Sequence, residues 1–103
     1  MQIHLAKSDI SDMAVDAIVS PANSLGIMGG GVAAVLSRKG GPLIQREAMS
    51  LAPIAVGAAV VTNAGTLWAK HVIHAPTMEE PGLKVSVENV RRATRAALLA
   101  AHQ

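Results

Sequence analysis

A chain of 103 residues supports one domain at most, and a domain this short buries a smaller share of its surface than a larger one. Half of the residues are apolar, but one Trp and no Phe or Tyr leave Ala, Val, Leu, Ile and Met to build the core; the lack of cysteine excludes a disulfide framework and a thiolate metal site. A formal charge of +2, an N-terminus without the basic start and apolar run of a signal peptide, and no stretch long enough for a bilayer lead us to expect a cytoplasmic protein without a membrane role.

Residues 2–6 alternate, with Ile3 and Leu5 on one side and His4 on the other, as in a half-buried strand. Turn formers over residues 8–12 break it. Residues 14–19, apolar apart from Asp16, read as a strand buried on both faces of a parallel sheet and ended by Pro21. From Gly31, Val32, Val35 and Leu36 fall at helical spacing, and Arg38-Lys39-Gly40-Gly41 closes that helix with basic residues followed by glycine. Pro42 opens a second helix that runs through Leu43, Ile44, Glu47, Ala48 and Leu51 to Pro53.

Residues 57–62 and 71–74 read as further strands, the second ending before Pro76, and residues 79–82 as a loop. Ser86 then caps a long helix with Val87, Val90, Thr94, Ala97, Leu98 and Ala101 on one stripe. Strands alternating with helices predict an α/β fold in three layers, without internal repeats. Arg91, Arg92 and Arg95 read as a solvated helix face and not as a nucleic-acid patch, because stacking aromatics are nearly absent. His71 and His74 fall on opposite faces of a strand and cannot share a metal ion, and Asp9, Asp12 and Asp16 lack metal-loop spacing.

Gly29-Gly30-Gly31-Val32-Ala33-Ala34 satisfies the letter of the dinucleotide fingerprint G-x-G-x-x-G/A. Its context opposes that reading, since residues 21–28 intervene where the first glycine should follow the strand at once. A phosphate loop of the G-x-x-x-x-G-K-[ST] type is also absent. What remains is a more general device: glycines at a helix start let backbone N–H groups meet an anion.

The combination of Asp9-Ile10, Val15-Asp16-Ala17-Ile18-Val19, Ala22-Asn23, the glycine triplet with Val32-Ala33, and Val72-Ile73-His74 resembles the macro domain family. The family's usual pattern is Asp-Ile, then Val-Asp-Ala-Ile-Val-Asn-Ala-Ala-Asn, then Gly-Gly-Gly-Val-Ala. The resemblance implies a single macro-like domain over residues 1–103 with a three-layer α/β/α fold and a mixed central sheet. It further implies binding of ADP-ribose or a derivative, free or attached to protein, above the C-terminal strand ends. Some members hydrolyse ADP-ribosyl esters or ADP-ribose 1″-phosphate. Residue by residue, Asp9 and the Ile10 backbone would meet adenine, Asn23 the distal ribose, and the N–H groups of Gly30, Gly31 and Val32 the diphosphate and distal ribose, with Ala22 and Gly29 also among the ligand-binding residues. No cofactor or metal is called for. Asn23 also has a purely local reading, an Asx-turn after Pro21.

Three departures bear on catalysis. Ser20 replaces the first asparagine of the family pattern, Ala33 stands where one hydrolase branch carries an aspartate, and Met28 where another carries a histidine. Neither Ala nor Met can accept or orient a proton, which leaves Asn23 and the ligand's own phosphate as candidates to act on water. Macro domains also continue past the long helix with a further strand, a second glycine-rich loop, another helix and a last strand, none of which precedes Gln103. The chain thus reads as C-terminally truncated, with an unpaired apolar strand that invites a homo-oligomer. The alternatives are a non-catalytic module acting in assembly and, disfavoured by the glycine spacing, an NAD-dependent dinucleotide-binding protein.

Overall fold

The computed structural model describes residues 9–80 and 82–102, so the strand expected over residues 2–6 lies outside the described residues. Asp9 caps a 3-10 turn, Ile10–Asp12. Strand β1 (Ala17–Asn23) leads through a loop into helices α1 (Gly31–Gly40) and α2 (Pro42–Ser50), followed by β2 (Val60–Asn63), β3 (His71–Met78) and α3 (Val87–His102). The sheet order is β1-β3-β2, with β1 parallel and β2 antiparallel to β3. Among the described residues no helix is long and apolar enough to cross a membrane.

Both strand prolines overturn the expectation that they end their strands. Asp16 accepts from the His71 N–H at 3.1 Å and the Ser24 N–H donates to Met78 at 3.0 Å, so even-numbered residues of β1 turn their peptide groups toward β3. Pro21 is odd-numbered; its missing N–H lies on the side away from β3, where it costs no ladder bond. On β3 the odd-numbered residues face β1, which turns the Pro76 nitrogen toward β2. The β2 pairing reaches only as far as His74, opposite Val60, so no partner awaits a donor at Pro76. β1 is not buried on both faces either, since Val19 is 44% exposed.

Residues in register share a face, and the pair Ile18–Val72 packs with Leu36, Ile44, Met28 and Ala33 under α1 and α2. Leu36 and Ile44 are fully buried, each a side chain whose burial contributes roughly 1.5–3 kcal/mol. On the opposite face Ile73 and Ala75 pack against Ala93 and Ala97 of α3, which completes three layers. The apolar stripe expected on α3 is rotated. Alanines 93, 96 and 97 face inward while Val87, Val90, Leu98 and Leu99 stand exposed, because small side chains let the helix approach the sheet closely. The Ser86 hydroxyl accepts from the Asn89 N–H at 3.0 Å, as a helix cap should.

One polar cluster lies inside the α1/α2 side. His74, 0% exposed, approaches the Thr62 hydroxyl at 2.8 Å through Nε2. Thr62 donates its single proton to the Asn63 carbonyl at 2.9 Å, so it accepts from His74, and the ring carries its proton on Nε2. Nδ1 is left without a partner, as is the hydroxyl of Ser20, its neighbour in register on β1. Burial pushes the imidazole pKa down to about 4, against a weaker opposing pull from Glu47.

Candidate functional site

Parallel pairing brings the C-terminal ends of β1 and β3 together, the end at which open α/β sheets gather their ligands. Asn23, 6% exposed, spends its side chain on the loop that follows: Oδ1 accepts from the N–H groups of Leu25 (3.1 Å) and Ile27 (3.2 Å), and Nδ2 donates to the Ile27 carbonyl (2.7 Å). Its local role is therefore present, and one amide hydrogen is left over. The loop is also fastened from α2, where Gln45 accepts from the Met28 N–H at 2.7 Å. At Gly26, φ is +74°, and an added Cβ would stand 2.8 Å from the Ala48 carbonyl carbon. Gly26→Ala is accordingly expected to destabilise the protein by at least about 2 kcal/mol, from left-handed strain plus the clash, as read in urea unfolding. A loss under about 0.5 kcal/mol would mean that the loop does not rest on α2.

The loop delivers the chain to α1 with Gly30 as an N-cap that offers no side chain. The first bond of the helix runs from Ala34 to the Gly30 carbonyl at 3.2 Å, so the N–H groups of Gly31, Val32 and Ala33 precede the ladder. They open onto a hollow of about 290 Å³. A Cβ built at Gly30 or Gly31 meets no atom within 4 Å, so packing does not explain the absence of side chains there.

Six of the residues singled out from the sequence share this hollow: Ala22, Asn23, Gly29, Gly30, Gly31 and Val32. Asp9 and Ile10 do not line it. The Asp9 carboxylate accepts from both the N–H (2.9 Å) and the hydroxyl (2.6 Å) of Ser11, and Lys39 in the last turn of α1 lies 3.4 Å away. The Ser11 bonds, then Lys39, hold this carboxyl below its usual range. Its pairing is therefore at the opposite end of α1 from the glycines.

Thr77, Met78 and Gly82 also line the hollow and were not named from the sequence. Thr77 is 8% exposed, and its hydroxyl has no hydrogen-bond partner among the described residues. Nothing near Thr77 in the sequence marks it; the clue would have been the parallel register that sets Met78 beside Asn23. Among the described residues none that lines the hollow is titratable. The described residues can present helix-end N–H groups, a hydroxyl and a leftover amide hydrogen to an anionic ligand, and none of them is a general acid or base. Among the described residues no three His, Asp or Glu side chains converge on a point that could hold a metal.

Known proteins resemble this chain in sequence and fold. An uncharacterised protein of Aquifex aeolicus is 59% identical over 98 residues, covering 95% of this chain and 59% of the relative. One from Aeropyrum pernix is 51% identical, covering 91% and 50% respectively, so the chain spans little more than half the length of these relatives. Among solved structures, the Trypanosoma brucei macrodomain in complex with ADP superposes with a TM-score of 0.72 at 31% identity, covering 88% of this chain and 37% of that one. The macrodomain of Mycobacterium tuberculosis DarG reaches 0.80 at 19% identity, a likeness of fold, over 94% and 66%. The match to the Macro domain family model takes in the β1 end, the glycine loop and α3 in a single span, residues 19–103, and the chain belongs to that family.

Proposed function

We propose that the chain binds ADP-ribose or an ADP-ribose derivative, with the diphosphate at the start of α1. The observation that carries this is the side-chain-free cap: Gly30 stands in open space before three helix N–H groups outside the ladder. Two phosphate charges match that partial positive charge. Support also comes from the Trypanosoma brucei macrodomain, solved with ADP and with ADP-ribose.

The reading assigns the distal ribose to Asn23, Ala22 and Thr77; the adenine is assigned to Asp9 and Ile10 on the family resemblance alone, since neither lines the hollow and the Asp9 carboxylate is held by Ser11 and Lys39. Because no described residue lining the hollow is titratable and Asn23 is engaged by its loop, binding is favoured over acid–base hydrolysis. Calorimetry with ADP-ribose, NAD and ADP tests it: ADP-ribose should bind most tightly, and preference for NAD would return the dinucleotide reading. Asp9→Ala should weaken ADP-ribose by roughly 1–3 kcal/mol, and an unchanged affinity removes Asp9 from the adenine end. Product analysis after incubation with ADP-ribose 1″-phosphate checks the catalytic side; turnover that survives Asn23→Ala would make the ligand's phosphate the acting group, and turnover lost with it would point to Asn23.

A second reading, assembly, is favoured by one observation. On the outer side of the sheet Val19 and Val90 line one shallow hollow and Leu98 and Leu99 of α3 another, all four exposed, and among the described residues β1 has a neighbour on one side only. A second copy covering this face would remove that apolar surface from water. Light scattering at rising concentration should show a dimer, and Leu98→Glu with Leu99→Glu should return a monomer. A monomer throughout sinks this reading and leaves the first intact.

A further inference from the structure

The ridge formed by the ends of β1 and β3 has two sides. Asn23 and Met78 belong to the glycine-side hollow, whereas their successors Ser24 and Glu79 belong to a second hollow of about 590 Å³. The Ser24 N–H bond to Met78 closes the ridge between them, and the Ile54 N–H donates to the Ser24 carbonyl at 2.8 Å, fixing the wall of the second hollow. Ser24 is 8% exposed and lines that hollow, and its hydroxyl has no hydrogen-bond partner among the described residues.

The rest of the lining is of two kinds. Leu25, Ile54 and Val56 make an apolar wall, and Glu79, Glu80 and Arg92 bring charge to it. Arg92 is held in place, since its Nη2 donates to the Val56 carbonyl at 2.9 Å and a Cβ at Gly57 would stand 3.0 Å from it. Neither glutamate has an ion pair among the described residues. An apolar wall ending in unpaired carboxylates suits a lysine or arginine, whose stem lies along the wall while its head meets the acid. With two carboxylates against the one Arg92 guanidinium, the lining carries a net negative charge, which disfavours a nucleic-acid backbone.

We infer that this second hollow recognises the acceptor attached to ADP-ribose, and that the acceptor is a peptide with a basic residue beside the attachment point. The inference rests on the ADP-ribose reading above. With the distal ribose at Asn23, a substituent on it needs to cross only the Asn23–Ser24 ridge to reach the Ser24 hydroxyl, the apolar wall and the two glutamates.

The test compares four ligands on the full chain by calorimetry: free ADP-ribose, a peptide ADP-ribosylated on serine between lysines, the same peptide with alanines for the lysines, and an ADP-ribosylated DNA oligonucleotide. The lysine peptide should bind about fivefold tighter than the alanine peptide, a preference that shrinks as salt rises. E79Q combined with E80Q should abolish the preference and leave free ADP-ribose within about twofold of its original affinity. Equal binding of the two peptides, or tighter binding of the oligonucleotide, overturns the inference while leaving ADP-ribose binding standing. Failure of free ADP-ribose to bind overturns the reading beneath it and the inference together.

Discussion

Gly30→Val should lower ADP-ribose affinity by about a hundredfold, close to 3 kcal/mol, while costing the fold no more than about 1 kcal/mol in urea unfolding. Gly30 has φ −153° and ψ 165°, an extended conformation that a β-branched residue adopts readily. No neighbour lies within 4 Å of a Cβ there, so packing does not oppose the substitution, and folding loses only the N-cap preference for glycine over valine, about 1 kcal/mol or less. The added methyl groups would instead stand in the hollow, in front of the first N–H groups of α1. A phosphate would have to forgo those donors or displace the helix start. Calorimetry and urea unfolding on one preparation separate the outcomes: unchanged affinity would show that the diphosphate binds elsewhere, and a stability loss well beyond about 1 kcal/mol would show that Gly30 serves the fold by more than its cap. Gly31 is a poorer site for the test because its φ of +58° adds backbone strain to any loss of binding.

Between pH 7 and pH 5 the protein should lose roughly 2 kcal/mol of stability through His74. Its folded pKa, about 4, lies below the ordinary 6.5. In that window the unfolded chain takes up the proton and the folded chain resists it. The stabilisation is thus complete above pH 6.5 and falls away as the pH drops toward 4. The cause is visible in the core: a proton added to Nδ1 would enter an interior where Ser20 is the register neighbour and no acceptor is in place. Glu47, which opposes the shift, is itself committed to Asn63, accepting from its backbone N–H at 2.7 Å and its side-chain Nδ2 at 2.9 Å. Urea titrations at several pH values should show the slope, and His74→Leu should flatten it between pH 5 and 7. A slope that survives in the variant assigns the effect to another group.

How much of this was legible in the sequence depended on how local each signal was. Gly40-Gly41-Pro42 fixed a helix boundary because its chemistry acts within a few residues, and α1 and α2 meet there as expected. The glycine triplet was readable for the same reason, and so was the Ser86 cap. Pro21 and Pro76 misled because a proline breaks a strand only where its nitrogen faces a partner, and the identity of that neighbour is set by strands far away in the chain. The α3 stripe misled because size, more than hydrophobicity, decided which face approaches the sheet; alanine won over valine and leucine. Thr77, Met78 and Ser24 reached the two hollows through register alone, which a single sequence does not display.

The two prolines that did not break their strands leave a mark on the site. Each stands two residues before the ridge, Pro21 ahead of Asn23 and Pro76 ahead of Met78. A pyrrolidine ring fixes φ near about −65° in the unfolded chain as well as the folded one. Much of the freedom that these strand ends could have kept is thus given up before any ligand arrives. The ridge between the hollows meets its ligand already ordered, and less conformational entropy is lost on binding than a flexible strand end would forfeit.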